Sequence, residues 1–305
     1  MADQSQNQEL AAVNGSNQLK QSAIPLELFL EIAEHYVDFA YARAATDIST
    51  WRVEGCPDAL HPIYISDNQA YDYASQVKRW QLVSTLTNLC SKRVSDIVHK
   101  TFCRFPRHHD TRDIVEWAQW MGLAVDPPKH AWVLPEIDIF VLDFKSTRYK
   151  EDGESLEPLE RAILQHRPTG EAARALGLIQ NAMCSLGSLM AATETQIRAL
   201  ASLPNLKRIQ TWCPIQSPAL PNEPHDHRGI LLVDPGILPD LAAEIAVSEV
   251  RLVSMWEPLF EAGVQITVQP RYALRGEIEL VRTVGGLHMK FLRDECKCYR
   301  MELDA

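Results

Sequence analysis

Three short clusters carry side chains that could bind a metal ion or take part in redox chemistry. They are His108-His109-Asp110, His225-Asp226-His227 and Cys296-Lys297-Cys298. Imidazole, carboxylate and thiolate groups are the usual ligands of zinc and other transition metals. Adjacent histidines, however, project to opposite sides of an extended backbone, and the cysteine pair lacks the two-residue spacer of zinc and redox motifs. We therefore predict no metal ion and no cofactor.

No spacing along the chain indicates a catalytic site. The sequence contains no Gly-x-Ser-x-Gly nucleophile motif, and Gly285-Gly286 is followed by strand-like residues rather than by a phosphate-binding helix. Serine, histidine and aspartate residues are plentiful, but without a defined spacing they specify no reaction. We predict no catalytic residue and a non-enzymatic protein, with an enzyme whose site is assembled from dispersed residues as one alternative.

Composition excludes several other classes of function. The chain has 305 residues, of which 46% are hydrophobic, and a formal net charge of −10. Such an acidic chain is a poor candidate for binding nucleic acid or anionic membranes, because both interactions draw on clustered positive charge. The 7 cysteines are scattered and odd in number, which is typical of reduced thiols. We expect an intracellular, soluble protein located in the cytoplasm or the nucleus.

The N-terminal third of the sequence is predicted to be helical around an irregular insertion. Residues 1–21 have the composition of a disordered tail. A helix is expected from Pro25 to Ala40, with Leu28 outside its buried face. That face is predicted from helical spacing to comprise Phe29, Ile32, Ala33, Tyr36, Val37 and Ala40. Residues 47–73 are interpreted as a loop-rich insertion, and helical spacing resumes from Val77 to Phe105 in two helices or one bent near Ser91.

Beyond Pro106 the sequence predicts alternating helices and strands. Helices are expected at 111–121, at 171–203 in two pieces around Gly187, and at 238–260. Strands are expected at 137–144, 230–233 and 264–268. Two further strands, 277–284 and 287–292, are separated by Gly285-Gly286, which favours a hairpin because a primed turn needs positive φ.

Two segments of the N-terminal third resemble the two halves of an F-box. The opening, Ile24 to Ile32, is similar to the first helix of that module, and Leu82 to Arg93 followed by Asp96-Ile97-Val98 is similar to its later part in fungal-type F-boxes. Two features depart from the family. About forty residues separate the halves, and Ser91 occupies a position that is usually basic. Farther along, Leu200 to Ile209 is similar to the helix-to-strand joint of leucine-rich repeats, although the sequence holds one good copy.

The resemblance implies an α+β protein in three parts. These are a disordered tail (1–21), an F-box-like helical module with its insertion (22–105), and a mixed α/β domain with irregular repeat-like units (106–305). It further implies a substrate receptor that binds a Skp-family adaptor and recruits a target protein to a cullin-RING ubiquitin ligase. The residues that match the family's adaptor contacts are Pro25, Leu26, Glu27, Leu28, Ile32, Leu86, Leu89 and Cys90. The runner-up to this function is an intracellular binding scaffold without a ligase role, and the enzyme with a dispersed site ranks third.

Overall fold

The fold is α+β, with helices packed together at the N-terminal end and helices packed against a mixed β-sheet. The computed structural model describes residues 24–55, 63–67, 72–88, 91–107, 129–142, 163, 170–213, 231–232, 239–270, 277–284 and 286–292. The 1–21 tail, the helix expected at 111–121 and the three ligand-type clusters lie outside these ranges. Within them, every helix is too short or too polar to cross a membrane.

Three helices form the N-terminal helical unit. They are α1 (Leu26–Thr46), α2 (Asp72–Thr87) and α3 (Lys92–Thr101), and each of them packs against the other two. The buried face of α1 consists of Ala33, Val37, Ala40 and Ala44. The small alanine side chains allow the neighbouring helices to approach closely. This core is completed by Val83, Leu86, Val94, Val98, Phe102, Trp132 and Leu134.

The segment predicted as a loop-rich insertion contains two strands. β1 (Thr50–Gly55) and β2 (Ile63–Asp67) pair antiparallel. The prediction of an irregular excursion was wrong for these residues. Alternate apolar side chains, Trp51 and Val53 on β1 and Ile63 and Ile65 on β2, are buried against the sheet. That two-residue period was hidden by the nearby prolines and Gly55.

The second predicted helical stretch also ends earlier than expected. α3 stops at Thr101, and β3 (Cys103–Pro106) follows instead of continued helix through Phe105. β3 pairs antiparallel with β4 (His130–Val133) in a small two-stranded sheet. Phe105 is buried there against Phe140, with ring centroids 5.8 Å apart. The tertiary partner strand therefore outweighs the local helical spacing.

The large sheet contains a run of parallel strands in chain order. β1 is followed in the sheet by β5 (Ile139–Leu142), β6 (Asn181–Ser185), β7 (Arg208–Cys213) and β9 (Gln265–Pro270). β10 (Glu277–Thr283), β11 (Gly286–Leu292) and β8 (Leu231–Leu232) extend it antiparallel. The crossover helices are α4 (Glu171–Gly177), α5 (Leu186–Met190), α6 (Glu194–Ala201), α7 (Pro239–Met255) and α8 (Glu257–Glu261). The lengths of chain between successive parallel strands are unequal, so the helix-and-strand units are irregular.

Most predicted elements of this region are confirmed, with one correction. The strands expected near 137–144 and 264–268 are β5 and β9, and the helix at 238–260 is α7 followed by α8. The helical prediction for 171–203 was wrong at β6, where Ala182 and Cys184 alternate toward the core. The helix-to-strand joint is confirmed, since α6 ends at Ala201 and β7 begins at Arg208.

The predicted hairpin is confirmed and closes beside α7, but the expected turn position is wrong by one residue. Gly286, predicted in the turn, belongs to β11 and pairs with Thr283. β10 and β11 pair from Glu277 opposite Leu292 to Thr283 opposite Gly286. Gly286 has φ +125°, which side-chain-bearing residues rarely adopt. The Glu249 carboxylate of α7 accepts a hydrogen bond from the Leu287 N–H at 2.8 Å and occupies the space that a Cβ of Gly286 would need.

Substitution of Gly286→Ala is expected to lower the free energy of unfolding by about 1–3 kcal/mol, because it combines backbone strain with a clash against Glu249. Urea denaturation followed by circular dichroism measures the change. Gly187→Ala is the matched control. Its Cβ would meet nothing within 4 Å and its φ is not positive, so stability should be unchanged or rise by up to about 1 kcal/mol. Equal stability of the two variants would contradict the prediction.

Candidate partner-binding surface

One side of α1 exposes large apolar side chains to solvent. Leu28, Ile32 and Phe39 are 49%, 50% and 53% exposed, and the half-buried Tyr36 ring lies 6.4 Å from that of Phe39. Residues at these intervals share one side of a helix. We call Leu28, Ile32, Tyr36 and Phe39 the apolar stripe. Leu28 lies outside the buried face as predicted, whereas Ile32, expected on that face, lies on the stripe. Tyr36 borders both sides, because it is half-buried and packs against the helical core.

A second exposed side of α1 carries four carboxylates. Glu27, Glu31, Glu34 and Asp38 recur at intervals of four, three and four residues and are all exposed. We call these four residues the acidic row. None of them forms an ion pair within the part of the chain that the structure describes. α1 therefore has three distinct sides, one buried in the helical core, one apolar and one acidic.

The first five predicted contact residues lie together at the start of α1. Pro25 sits at the N-cap position, before the helix rather than in its first turn, and its carbonyl oxygen accepts from the Phe29 N–H at 3.0 Å. Leu26, like Leu28 and Ile32, is exposed, and so is Glu27. These side chains are accessible to another molecule.

Of the second half of the predicted contact set, Leu86 is not brought to this surface. Leu86 is 7% exposed and packs in the core formed by α1, α2 and α3. A side chain that already fills that core cannot act as an exposed anchor for a partner. Leu89 and Cys90 lie outside the described residues.

A buried ion pair lies behind α1, between the helical unit and the sheet. Arg79 of α2 donates to the Asp138 carboxylate at 2.6 Å, and the two side chains are 4% and 0% exposed. The same carboxylate oxygen accepts from the Trp51 indole N–H at 3.1 Å and from the Leu134 backbone N–H at 2.9 Å. These hydrogen bonds offset part of the cost of burying the charge. All of them end on Oδ2, whereas Oδ1 of Asp138 is buried without a hydrogen-bond partner among the described residues. We call Arg79, Asp138, Trp51 and Leu134 the buried hub.

Arg79 also connects the hub to the end of α1. Its guanidinium donates to the carbonyl oxygens of Ala44 and Asp47, each at 3.5 Å. The hub thus joins α1, α2, β1 and the connection from β4 to β5. Nothing in the local sequence marks it, because its members are distant in the chain and of common residue types.

Trp132 ties α3 and β3 to the same region. The Arg104 guanidinium lies 4.8 Å from the centre of the Trp132 ring, the His99 ring centroid lies 5.3 Å from it, and the indole N–H donates to the Ser84 hydroxyl at 3.2 Å.

Burial and, to a smaller extent, the charge of Arg104 lower the pKa of His99, while the charge of Asp96 partly offsets these two effects. Protonation of His99 therefore opposes folding, and stability should fall as the pH drops from about 6.5 through the lowered pKa.

Comparisons with known proteins identify no relative of this chain. No family model, curated protein or solved structure matches the chain. Among the described residues, no group of three or more histidine, cysteine, aspartate or glutamate side chains could hold a metal ion. The function therefore has to be inferred from α1 and from the elements that position it.

Neither Phe39 nor the acidic row as a whole was predicted from the sequence to be part of this surface. Helical spacing could have identified both. Ile32 and Phe39 follow Leu28 at intervals that keep them on one side of a helix, and Asp38 follows Glu27 in the same way. Further exposed apolar residues lie elsewhere. Val247 and Val250 on α7 are 89% and 86% exposed, and they provide control positions on a different helix.

Proposed function

We propose that this protein is a substrate-receptor subunit that binds a Skp-family adaptor through α1. Its remaining elements would recruit a target protein to a cullin-RING ubiquitin ligase, in the cytoplasm or the nucleus. Catalysis would belong to the ligase, and this chain would contribute two binding surfaces and no reacting group. The proposal rests on the F-box-like residues together with their placement on an exposed helix side.

The observation that carries the proposal is the exposure of Leu28 and Ile32. Both lie within the segment that resembles the opening of an F-box, and both face solvent while the opposite side of α1 fills the helical core. Exposed apolar residues grouped on one helix side are typical of helix-in-groove docking. A few such residues usually carry most of the affinity of an interface.

The packing of α1 against α2 and α3 supports the same proposal. A docking helix binds best when it is held in its bound conformation before the partner arrives, because less entropy is lost on association. α1 is held by Ala33, Val37, Ala40 and Ala44 in the helical core. Its exposed sides are therefore presented on a rigid element.

The doubly substituted protein Leu28→Glu/Ile32→Glu is expected to bind a purified Skp-family adaptor at least about thirtyfold more weakly than the wild type, the equivalent of losing one anchor of about 2 kcal/mol. The fold should persist, because both side chains already face solvent. Isothermal titration calorimetry measures the affinity, and circular dichroism verifies that the helices remain.

Val247→Glu/Val250→Glu is the matched control. It adds the same charge at two exposed apolar positions of α7, a helix that packs on the sheet core beside β11. This variant should bind the adaptor with wild-type affinity. Absence of binding by the wild type, or equal affinity of the wild type and the α1 variant, would overturn the proposed function.

A further inference from the structure

The apolar stripe extends well beyond the segment that resembles the F-box opening. From Leu28 to Phe39 it covers 11 residues of helical rise, about 16 Å at 1.5 Å per residue. The last part of that length, around Phe39, lies outside the family-like residues. A partner that touched only Leu26, Leu28 and Ile32 would leave the Phe39 ring and the exposed part of the Tyr36 ring facing water.

The acidic row runs beside the apolar stripe over the same length. At 100° per residue the centres of the two lie about a third of a turn apart around α1. Glu27, Glu31, Glu34 and Asp38 therefore run along one flank of the apolar stripe, with the exposed His35 between the two. An interface centred on the stripe places these carboxylates at its rim.

The charge of this rim discriminates between possible occupants of the apolar stripe. A second copy of the chain would bring its own acidic row and its net charge of −10 to the contact. The two rows would meet along one rim if the helices paired antiparallel, and the net charges would repel each other in any arrangement. A partner with lysine and arginine side chains along one edge of an apolar groove would complement both features. Electrostatic complementarity thus favours a different, basic-rimmed partner over self-association.

We infer that the partner groove that receives α1 is apolar along the whole length from Leu28 to Phe39 and bordered by basic side chains that face the acidic row. The inference rests on the proposed function and adds the chemistry of the adaptor surface. It assigns two roles that the F-box resemblance does not supply. Phe39 is an anchor at the far end of the groove, and the acidic row sets orientation and the rate of association.

The first test removes the charge of the acidic row without changing its shape. The variant Glu27→Gln/Glu31→Gln/Glu34→Gln/Asp38→Asn is titrated with a purified Skp-family adaptor at 50 and 500 mM salt. Wild-type affinity should fall with salt, whereas the variant should bind about tenfold more weakly at low salt and depend little on salt. Surface plasmon resonance should assign most of the loss to slower association.

The charge-matched control also removes four negative charges, but at positions outside α1. It replaces four exposed glutamates on other elements with glutamine, at Glu136, Glu171, Glu194 and Glu261. Its affinity and salt dependence should match those of the wild type. If this control and the acidic-row variant behave alike, the effect is one of net charge, and the assignment of a basic rim is wrong.

The second test concerns Phe39. Phe39→Ala should weaken adaptor binding about tenfold, as expected for a truncated aromatic anchor. Tyr41→Ala is the control on the same helix, because Tyr41 is an exposed aromatic residue more than a third of a turn away from the apolar stripe. It should change the affinity less than twofold. Equal affinities of the two variants would overturn the assignment of Phe39.

The outcomes separate this inference from the proposed function. If Leu28→Glu/Ile32→Glu abolishes binding while the acidic-row and Phe39 variants bind like the wild type, the adaptor docks on α1 but the inference fails. If the wild type does not bind the adaptor, both fail. Analytical ultracentrifugation adds a third result, because a wild-type dimer that Phe39→Ala converts to a monomer would make a second copy the occupant and overturn the inference.

Discussion

Replacement of Asp138 with alanine is expected to lower the free energy of unfolding by about 3–5 kcal/mol, because it leaves the Arg79 guanidinium buried without a counter-charge. The Trp51 indole N–H and the Leu134 N–H lose their acceptor in the same step. Unsatisfied buried donors add to the cost of the unpaired charge. Urea denaturation monitored by tryptophan fluorescence and circular dichroism measures the loss.

An exposed ion pair provides the matched control for Asp138. Glu194 and Arg198 are paired along α6, but their side chains are 70% and 66% exposed. Arg198→Ala should cost no more than about 1 kcal/mol, since solvent screens the pair. In the double variant Arg79→Met/Asp138→Ala the loss should be smaller than the sum of the two single losses, because neither partner is left charged and alone. A stability loss below about 1 kcal/mol for Asp138→Ala would contradict the prediction.

Trp256→Ala is expected to cost about 3–5 kcal/mol, because it removes a fully buried aromatic side chain from the core between the sheet and its helices. Trp256 lies between α7 and α8, and its indole N–H donates to the Leu189 carbonyl oxygen at 3.4 Å. The cavity left behind would be bordered by rigid elements that cannot collapse easily. Chemical denaturation again provides the measurement.

Trp212→Ala is the corresponding control, because Trp212 is 43% exposed on β7 and carries no comparable burial. Its loss of stability should be about 1 kcal/mol or less. The pair of variants compares the same change of side chain at two levels of burial. Similar losses at both positions would show that the packing around Trp256 is not what stabilises this part of the fold.

The elements that sequence predicted best are those whose apolar spacing is long and uninterrupted. α1, α7 and the β10–β11 hairpin were all expected from local periodicity or turn chemistry. β1, β2 and β6 were missed because each is a short strand whose stability comes from neighbours distant in the chain. A five-residue alternation is too brief to distinguish from a loop or from a helix end before those neighbours are known.

The candidate partner-binding surface was predicted in part. Leu28 was placed outside the buried face from its position between Glu27 and Glu31, and the structure confirms it. Ile32 was expected inside, because hydrophobic spacing alone cannot tell which of two adjacent apolar sides meets the neighbouring helices. That choice depends on the packing of α2 and α3, where the smaller Ala33 and Ala40 allow closer contact than Ile32 would.

The division of the chain into a helical module and a following domain stays a prediction, but the two regions share more structure than the sequence suggested. β1 and β2 lie within residues 22–105, yet their buried side chains belong to the same core as those of the C-terminal strands and helices. Strand pairing between β1 and β5 joins residues on both sides of the predicted boundary. Such long-range pairing leaves no trace in local sequence.

Under the proposed function, the buried hub would also affect how a bound target is presented. Because Asp138 accepts from donors in three separate elements, the helical unit cannot rotate against the sheet without breaking a charged hydrogen bond in a dry interior. A receptor without a hinge at that point would hold its two partners at a fixed distance and angle. In a ubiquitin ligase, that geometry would determine which lysines of the target come within reach of the transferring enzyme.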